Sequence, residues 1–281
     1  MNFGKRFDLK GKYALITGAG GLLGYEHASA LLEINSNVIL TDISNDILVI
    51  NKNKLIKQFP SLNKGQILCY SMDVTSIKSI QEVCDNLKSH EIFIDILINN
   101  AAVDHKVGEN KSIEITNEFE EFSLEKWNKE ISVGLTGAFQ CAKVFGKSMI
   151  KANRSGVVLN IASDLSVIAP DQRIYKVESK SNDKQFFKPV TYSVIKTGLV
   201  GLTRYLSTYW ADKNIRTNAL SPGGVFNNQN QEFVTKLTNL IPMNRMANID
   251  EYRGAIQFLC SDASSYLNGQ NIVIDGGRSV W

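Results

Sequence analysis

The sequence predicts an α/β protein built on a doubly wound parallel sheet. Short apolar segments alternate with helical patterns along the whole chain, as expected for strands joined by crossover helices. A glycine-rich turn follows the first apolar segment, and polar residues follow several others. Because parallel strands end at a common edge, these residues are expected to meet where such sheets bind ligands.

The predicted strands are short and bounded by turn residues. They cover residues 13–16, 38–40, 66–70, 94–98, 157–161, 216–220 and 271–275. Apolar spacing predicts helices that begin at residue 23 and that cover residues 77–87, 124–152 and 251–260. A further helix is predicted after Pro189, with Thr191 as its cap. Residues 227–240 are expected to form a flap with short helices. Gly134 and Gly137 interrupt the long helix, so close packing or a bend is expected there.

Composition and charge exclude several classes of protein. A chain of 281 residues with 43% hydrophobic content and no linker or repeat fits a single domain over residues 1–281. Lys plus Arg outnumber Asp plus Glu by only 31 to 28, so no nucleic-acid partner is indicated. Four separated cysteines indicate neither a metal site nor disulfides. The polar start and the lack of a long apolar run predict a cytoplasmic protein that does not contact a membrane.

The segment from Thr17 to Gly24 lies between a strand and a helix. Such a turn brings bare backbone close to a ligand and directs a helix N-terminus at it, which suits a pyrophosphate. Asp42 ends the second strand 24 residues after Gly18, near the spacing expected for an acid that hydrogen-bonds an adenosine ribose. A carboxylate there repels a 2′-phosphate, which favours NAD over NADP. A glycine-rich loop without a ligand is the alternative.

Tyr192 and Lys196 lie four residues apart on a predicted helix and therefore share a face. A phenol with its ordinary pKa of about 10 is no base at neutral pH, but a neighbouring positive charge favours the phenolate. Ser163 follows the strand 157–161 at the same edge of the sheet. The tyrosine–lysine spacing also fits an ordinary solvated helix, and Ser163, Asp73 and Asn100 also fit ordinary turn residues.

Eight motifs follow one another in a fixed order. They are Thr17-Gly18 to Gly24, Asp42, Asp73-Val74, Asn99-Asn100-Ala101-Ala102, Ser163, Tyr192-x-x-x-Lys196, Ser221-Pro222-Gly223 and Asp275-Gly276-Gly277. With these motifs the chain resembles the short-chain dehydrogenase/reductase family from Lys12 to Gly277. The resemblance implies a Rossmann fold with a seven-stranded sheet, a nicotinamide cofactor, and a homotetramer or homodimer built partly from two long helices. The sequence as a whole, including the segment from Ser221 to Asn227 and a polar insertion before Tyr192, also resembles a bacterial subgroup linked to flagellin modification and the making of its acidic sugars.

The resemblance implies a role for each site residue. Tyr192 would exchange a proton with the substrate oxygen, Ser163 would orient that oxygen, and Lys196 would bind the ribose and lower the pKa of the tyrosine. The implied cofactor contacts are Gly18, Gly20, Gly21, Leu22, Leu23, Asp42, Ile43, Asp73, Val74, Asn100, Ala101, Tyr192, Lys196, Pro222, Gly223 and Val225. The expected reaction interconverts a secondary alcohol and a ketone on a polar small molecule, such as a sugar or sugar nucleotide, with NAD.

Three departures from the family pattern stand out. Leu22 replaces the usual middle glycine of the turn, and Gly134 replaces the usual asparagine that helps hold a water beside the lysine. Ser163 and Tyr192 are 29 residues apart, a longer interval than the family usually shows. The polar insertion 171–188 accounts for the surplus.

This insertion is expected to be a surface loop that borders the cleft and shapes substrate choice. Arg173 and Lys176 are candidates to bind a carboxylate or phosphate there, as are His105 and Lys106 in another polar segment. A solvated loop is the alternative in both cases. Tyr175 lies nearer the usual interval from Ser163, but it has no lysine four residues on and is not expected to be the base.

Two other functions stay open at this level. A cofactor-binding regulator or scaffold without catalysis would explain Gly134 and Leu22. An epimerase or dehydratase that passes through a transient ketone could use the same fold, and fold alone does not decide between these reactions.

Overall fold

Seven parallel strands form one sheet in the computed structural model, which describes residues 3–103, 117–176 and 185–281. The strands are β1 (Tyr13–Thr17), β2 (Asn37–Asp42), β3 (Ile67–Ser71), β4 (Ile96–Asn99), β5 (Gly156–Ile161), β6 (Ile215–Pro222) and β7 (Asn271–Ile274). Their spatial order is β3-β2-β1-β4-β5-β6-β7. The predicted doubly wound sheet is therefore confirmed. Its order reverses between β1 and β4, where such sheets bind ligands.

Helices connect the strands. They are α1 (Leu22–Leu32), α2 (Asn45–Gln58), α3 (Ile77–Ser89), α4 (Leu124–Ile131), α5 (Gly137–Lys151), α6 (Val190–Tyr209), α7 (Gln231–Thr238) and α8 (Arg253–Cys260). A π-helical turn, Ser132–Thr136, joins α4 to α5. The predicted long helix over 124–152 is thus confirmed, with its irregular turn at the glycines.

The two faces of the sheet bury different helices. On one face, Ile16 of β1 belongs to a core with Leu31 of α1 and Ile256 of α8. On the other face, Leu15 belongs to a core with Phe145 of α5. Because successive strand residues point to opposite faces, a sheet covered on both sides requires continuous apolar strands.

Helix α2 is an element that the predicted set lacks. Its buried residues include Leu48 and Leu55, while the neighbouring Ile47 and Ile50 are exposed. Apolar residues thus lie on both sides of this helix, which blurs the periodicity that identifies an amphipathic helix.

The predicted cap of α6 is wrong. Pro189 occupies the N-cap position, and Thr191 lies in the first helical turn. The Thr191 hydroxyl instead donates a hydrogen bond to the buried carboxylate of Glu130. Proline is well suited to this boundary because it has no backbone N–H to leave unsatisfied.

The insertion 171–188 is more than a surface loop. Ile174 and Tyr175 are buried in a small core with Leu237 and Ile241, so this part of the expectation is wrong. These two side chains anchor the start of the insertion. Residues 177–184 of the insertion, together with His105 and Lys106, lie outside the described residues.

The described part of the chain contains neither a membrane-spanning helix nor a cluster of metal ligands. No helix there is long and apolar enough to cross a bilayer. No group of three or more His, Cys, Asp or Glu side chains there could hold a metal ion.

Candidate active site

Tyr192 and Lys196 occupy the first turns of α6 and face the carboxyl end of β5. The Lys196 side chain is buried, and its Nζ lies 5.6 Å from the centroid of the Tyr192 ring. The same Nζ donates a 2.8 Å hydrogen bond to the backbone oxygen of Ile161, the last residue of β5. This bond fixes the ammonium beside the phenol.

Ser163 follows β5 by two residues and caps the 3₁₀ turn Asp164–Ser166, which packs against α6. The serine is buried, and its Oγ accepts a hydrogen bond from the backbone N–H of Leu165. Its hydroxyl donates to Oδ1 of Asp164 at 2.8 Å. The structure therefore brings the strand end that carries Ser163 against the helix that carries Tyr192.

A buried ion pair holds this serine turn from the far end of the chain. Nη1 of Arg278 lies 2.8 Å from Oδ2 of Asp164, and the two side chains are only 8% and 5% exposed. Arg278 follows β7, so the pair ties the C-terminal segment to β5. Sequence reasoning missed this pair, because residues 114 positions apart share no local pattern.

The glycine turn has the shape that a pyrophosphate requires. Gly18 has φ +64°, and a Cβ at Gly20 would lie 2.4 Å from Cγ2 of Ile47 and 2.8 Å from Oδ2 of Asp42. Gly21 is the N-cap of α1 and supplies no side-chain cap, so the first amides of the helix stay available to an anion. These residues fit a dinucleotide.

Asp42 and Asn51 hold the turn in place. Oδ2 of Asp42 accepts a 3.0 Å hydrogen bond from the Gly20 N–H, and the Asn51 amide donates to the backbone oxygens of Ala19 and Gly20. Asp42 is only half-buried, and Ile43 beside it is 73% exposed. A carboxylate next to an exposed apolar side chain fits an adenosine, with ribose hydroxyls on the acid and the base on the isoleucine.

Asn100 supports the same turn from β4. Its amide donates to the backbone oxygens of Thr17 and Gly18 at 3.0 and 3.1 Å, and its N–H, like that of Ala101, donates to the Thr17 hydroxyl. Asn100 therefore helps to fix the glycine turn. Leu23 lies in the first turn of α1 that follows this loop.

Asp73 and Val74 follow β3, which is the edge strand of the sheet next to β2. Oδ1 of Asp73 accepts hydrogen bonds from the N–H and the hydroxyl of Thr75, so this carboxylate forms a turn. Val74 is buried, and a Cβ at Gly137 would lie 2.9 Å from its Cγ2. Both residues lie at the carboxyl edge, as predicted.

The end of β6 lies on the other side of the point where the strand order reverses. Pro222 is its last residue, and Gly223 and Val225 follow. The Gly223 N–H donates to Ile274 of β7 at 2.8 Å, and its carbonyl oxygen accepts from the Tyr252 hydroxyl. Val225 pairs with Ala247 in an isolated bridge. The predicted cofactor residues thus lie along one edge of the sheet, from β3 to β6.

A cavity of about 430 Å³ opens beside the start of α6. Its lining includes Gln172, Phe187, Lys188, Ser193 and Val194. A larger cavity of about 560 Å³ lies at the amino ends of the strands, where Lys12 and Asp95 are found. The smaller cavity lies at the helix that carries Tyr192, although Tyr192 itself does not line it.

A model of the family described as "Enoyl-(Acyl carrier protein) reductase" matches residues 18–279 of this chain. The chain belongs to the short-chain dehydrogenase/reductase family. It is therefore an NAD(P)-dependent dehydrogenase or reductase that acts on CH–OH groups.

Individual relatives cover almost the whole chain. An NAD-dependent glycerol dehydrogenase of Listeria innocua serovar 6a is 29% identical, over 99% of this chain and 98% of its own length. A short-chain dehydrogenase structure from Leptospira borgpetersenii with bound NAD+ is 29% identical, with TM-score 0.81, and covers 100% of this chain and 96% of the other. A gluconate 5-dehydrogenase structure from Burkholderia cenocepacia, in complex with NADP and tartrate, is 25% identical, with TM-score 0.82 and 99% of both chains covered.

Two departures from the usual short-chain dehydrogenase pattern have structural explanations. Leu22 is the first residue of α1 and does not have a positive φ, so the turn needs no glycine there. At Gly134, a Cβ would lie 2.8 Å from Cγ2 of Ile195. The isoleucine therefore fills the space that an asparagine side chain at position 134 would need.

Tyr175 is not placed to act as a base. It is buried, its ring packs 5.6 Å from that of Phe233, and burial raises the pKa of its phenol. Arg173 is 84% exposed and pairs with Asp171 of its own loop at 2.7 Å. Lys176 is also exposed.

His27 is a buried residue near the site that sequence reasoning missed. It lies on α1, and neither ring nitrogen has a hydrogen-bond partner among the described residues. Burial lowers the pKa of His27 to about 3, an effect that the Asn100 side chain opposes and the charge of Lys196 increases. The sequence does contain a signal for this burial, because His27 lies among the apolar residues of α1 that face the sheet.

Proposed function

We propose that the protein is an NAD(H)-dependent oxidoreductase that interconverts a secondary alcohol and a ketone on a polar small molecule. The observation that supports this most is the Lys196 ammonium, fixed beside the Tyr192 ring and against the strand end that leads to Ser163. Chemistry of this kind needs a base close to the reacting hydroxyl.

In the proposed mechanism, Tyr192 removes the proton of the substrate hydroxyl, and Lys196 favours the phenolate that can do so. The nicotinamide, when bound, exchanges a hydride with the substrate carbon. Ser163 turns its hydroxyl from Asp164 towards the substrate oxygen and donates a hydrogen bond to it. In the opposite direction, Tyr192 returns the proton to the carbonyl oxygen as an acid.

We propose NAD as the preferred cofactor, held by the sixteen residues named above as its contacts. Asp42 supports this preference, because its carboxylate would accept hydrogen bonds from ribose hydroxyls and repel a 2′-phosphate. The NAD-dependent glycerol dehydrogenase and the NAD+-bound relative agree with NAD, whereas the gluconate 5-dehydrogenase structure holds NADP.

For the substrate, we propose a polyol, a sugar acid or another sugar derivative. Relatives that act on glycerol and gluconate support this class. An intermediate in the making of the acidic sugars of flagellin is a member of the same class. We also propose that residues 1–281 form one cytoplasmic domain.

We propose a homodimer or homotetramer through the outer face of α5 and α6. Phe139 is 49% exposed there, and Tyr205 and Tyr209 are each 62% exposed. The two tyrosine rings stack with centroids 5.6 Å apart, which presents a flat aromatic surface. Sedimentation analysis would test this, and Tyr205→Arg should shift the protein to a smaller species.

A substrate screen tests the proposed reaction. Purified protein with NAD+ or NADH would be mixed with polyols, sugar acids, keto-sugars and sugar nucleotides, and NADH absorbance would be followed. We expect net turnover with at least one member and a much slower rate for Ser163→Ala. Binding of NAD+ without net turnover in the whole panel would favour a regulator or an epimerase instead.

A further inference from the structure

Lys188, the last residue of the insertion, lies against the ring of Tyr192. Its Nζ is 3.7 Å from the ring centroid, closer than the 5.6 Å of Lys196. A cation within about 6 Å of a ring centroid is attracted by the electrons of the ring. The chain therefore brings two ammonium groups to one phenol.

The backbone of Lys188 is held in place on both sides. Its N–H donates a 2.9 Å hydrogen bond to Oε1 of Gln172, and its carbonyl oxygen accepts from Nε2 of the same side chain. The carbonyl oxygen of Phe187 accepts a 3.1 Å bond from the Asn117 amide. Helix α6 then begins directly after Pro189. These contacts fix the backbone from which the Lys188 side chain reaches the Tyr192 ring.

We propose that Lys188 is a positioning residue that acts through Tyr192, where its charge favours the phenolate form that serves as the base. This inference rests on the proposed role of Tyr192. A positive charge close to an acid favours the ionised form, and a phenolate ring attracts the ammonium more strongly than a neutral phenol does. The insertion then has a function at the reacting group itself.

Among the described residues, the other charged and titratable groups around Tyr192 do not replace this charge. Lys196 faces it from the same helix, and Tyr175, from the insertion, is kept neutral by burial, which raises the pKa of its phenol. Arg278 and Asp164 pair with each other. Removing Lys188 should therefore leave Lys196 as the main cation at the ring.

Titration of Tyr192 tests the inference without a substrate. Protein labelled with ¹³C at Cζ of its nine tyrosines, with NAD+ added, would be followed by NMR across pH, and Tyr192→Phe would identify the signal. We expect Lys188→Met and Lys188→Gln to raise the titration midpoint of Tyr192 by about one pH unit. Lys188→Arg should keep the parent midpoint, because it keeps the charge.

Lys176→Met is the matched control. It removes the same charge from the same insertion, but its side chain is exposed. We expect no change in the midpoint for this variant. An unchanged midpoint in folded Lys188→Met and Lys188→Gln would overturn the inference, as would an equal rise in Lys176→Met. Neither result depends on turnover, so a failure here is distinct from a failure of the proposed reaction.

Discussion

The half of the molecule that is expected to hold the cofactor and the half that is proposed to carry the chemistry are built in different ways. Around the glycine turn, the contacts run between backbone groups and side chains from the first half of the chain, as from Gly20 to Asp42. Around Tyr192, the decisive contacts join distant segments, such as Arg278 with Asp164. The glycine turn depends on positions that have no side chain, whereas the region around Tyr192 depends on paired charges.

This difference predicts which changes each half tolerates. A glycine turn fails when a side chain is added, because the space is already filled. A buried ion pair fails when one partner is removed, because the other charge is left without compensation. The variants below test the two halves separately.

Arg278→Met should have the largest effect on stability. It leaves the buried carboxylate of Asp164 without its partner, and we expect a loss of about 3–5 kcal/mol in the free energy of unfolding. Urea unfolding would measure this loss. Asp164→Asn combined with Arg278→Met should recover much of it, and a double variant less stable than the single one would contradict the pairing.

Gly20→Ala tests the other half. The added methyl group would meet Ile47 and Asp42 at 2.4 and 2.8 Å, so we expect a cost near 3 kcal/mol, shared between folding and NAD+ binding. Gly254→Ala in α8 is the control, because no atom lies within 4 Å of its new Cβ. Calorimetry would measure NAD+ binding, and urea unfolding would measure the free energy of unfolding. If Gly20→Ala and Gly254→Ala changed these two quantities equally, crowding at Gly20 would be contradicted.

His27→Leu tests the junction between the halves through pH. The pKa of His27 is lowered from the model-compound value of 6.5 to about 3, so the unfolded chain takes up a proton at this residue before the folded protein does. Its contribution is complete above about pH 6.5 and falls as the pH drops towards 3, with a loss of about 2 kcal/mol at pH 5. The leucine variant should lose less stability between pH 7 and pH 5 than the parent. Parallel curves would contradict this assignment.

Asp42→Ala should have the smallest effect, in which loss of the ribose contact is combined with loss of the hydrogen bond from the Gly20 N–H. Loss of the ribose contact should weaken NAD+ binding about tenfold, or about 1.4 kcal/mol. NADP+ binding should improve relative to NAD+, because a repulsive charge is removed. Fluorescence titration with both cofactors would show this. A parent protein that already prefers NADP+ would contradict the role given to Asp42.

The sequence predicted most of the first half and only part of the second. Strands buried on both faces and glycines that must approach backbone leave local patterns, as at Ile16 and Gly18. The pairing of Lys188 with Tyr192 depends on how the insertion folds back, and Arg278 reaches Asp164 only in the folded chain. Helix α2 was missed because its apolar residues do not keep to one face.

The central claim is that Tyr192 is the acid–base group of a dehydrogenase. Its most direct test is the rate of NADH formation by Tyr192→Phe, measured with the best substrate of the screen and with NAD+ binding checked separately. We expect NAD+ binding to be retained, weakened only by the loss of the Tyr192 hydroxyl contact, and a rate about a hundred- to ten-thousand-fold below that of the parent. A phenylalanine variant that turned over at the parent rate would contradict it.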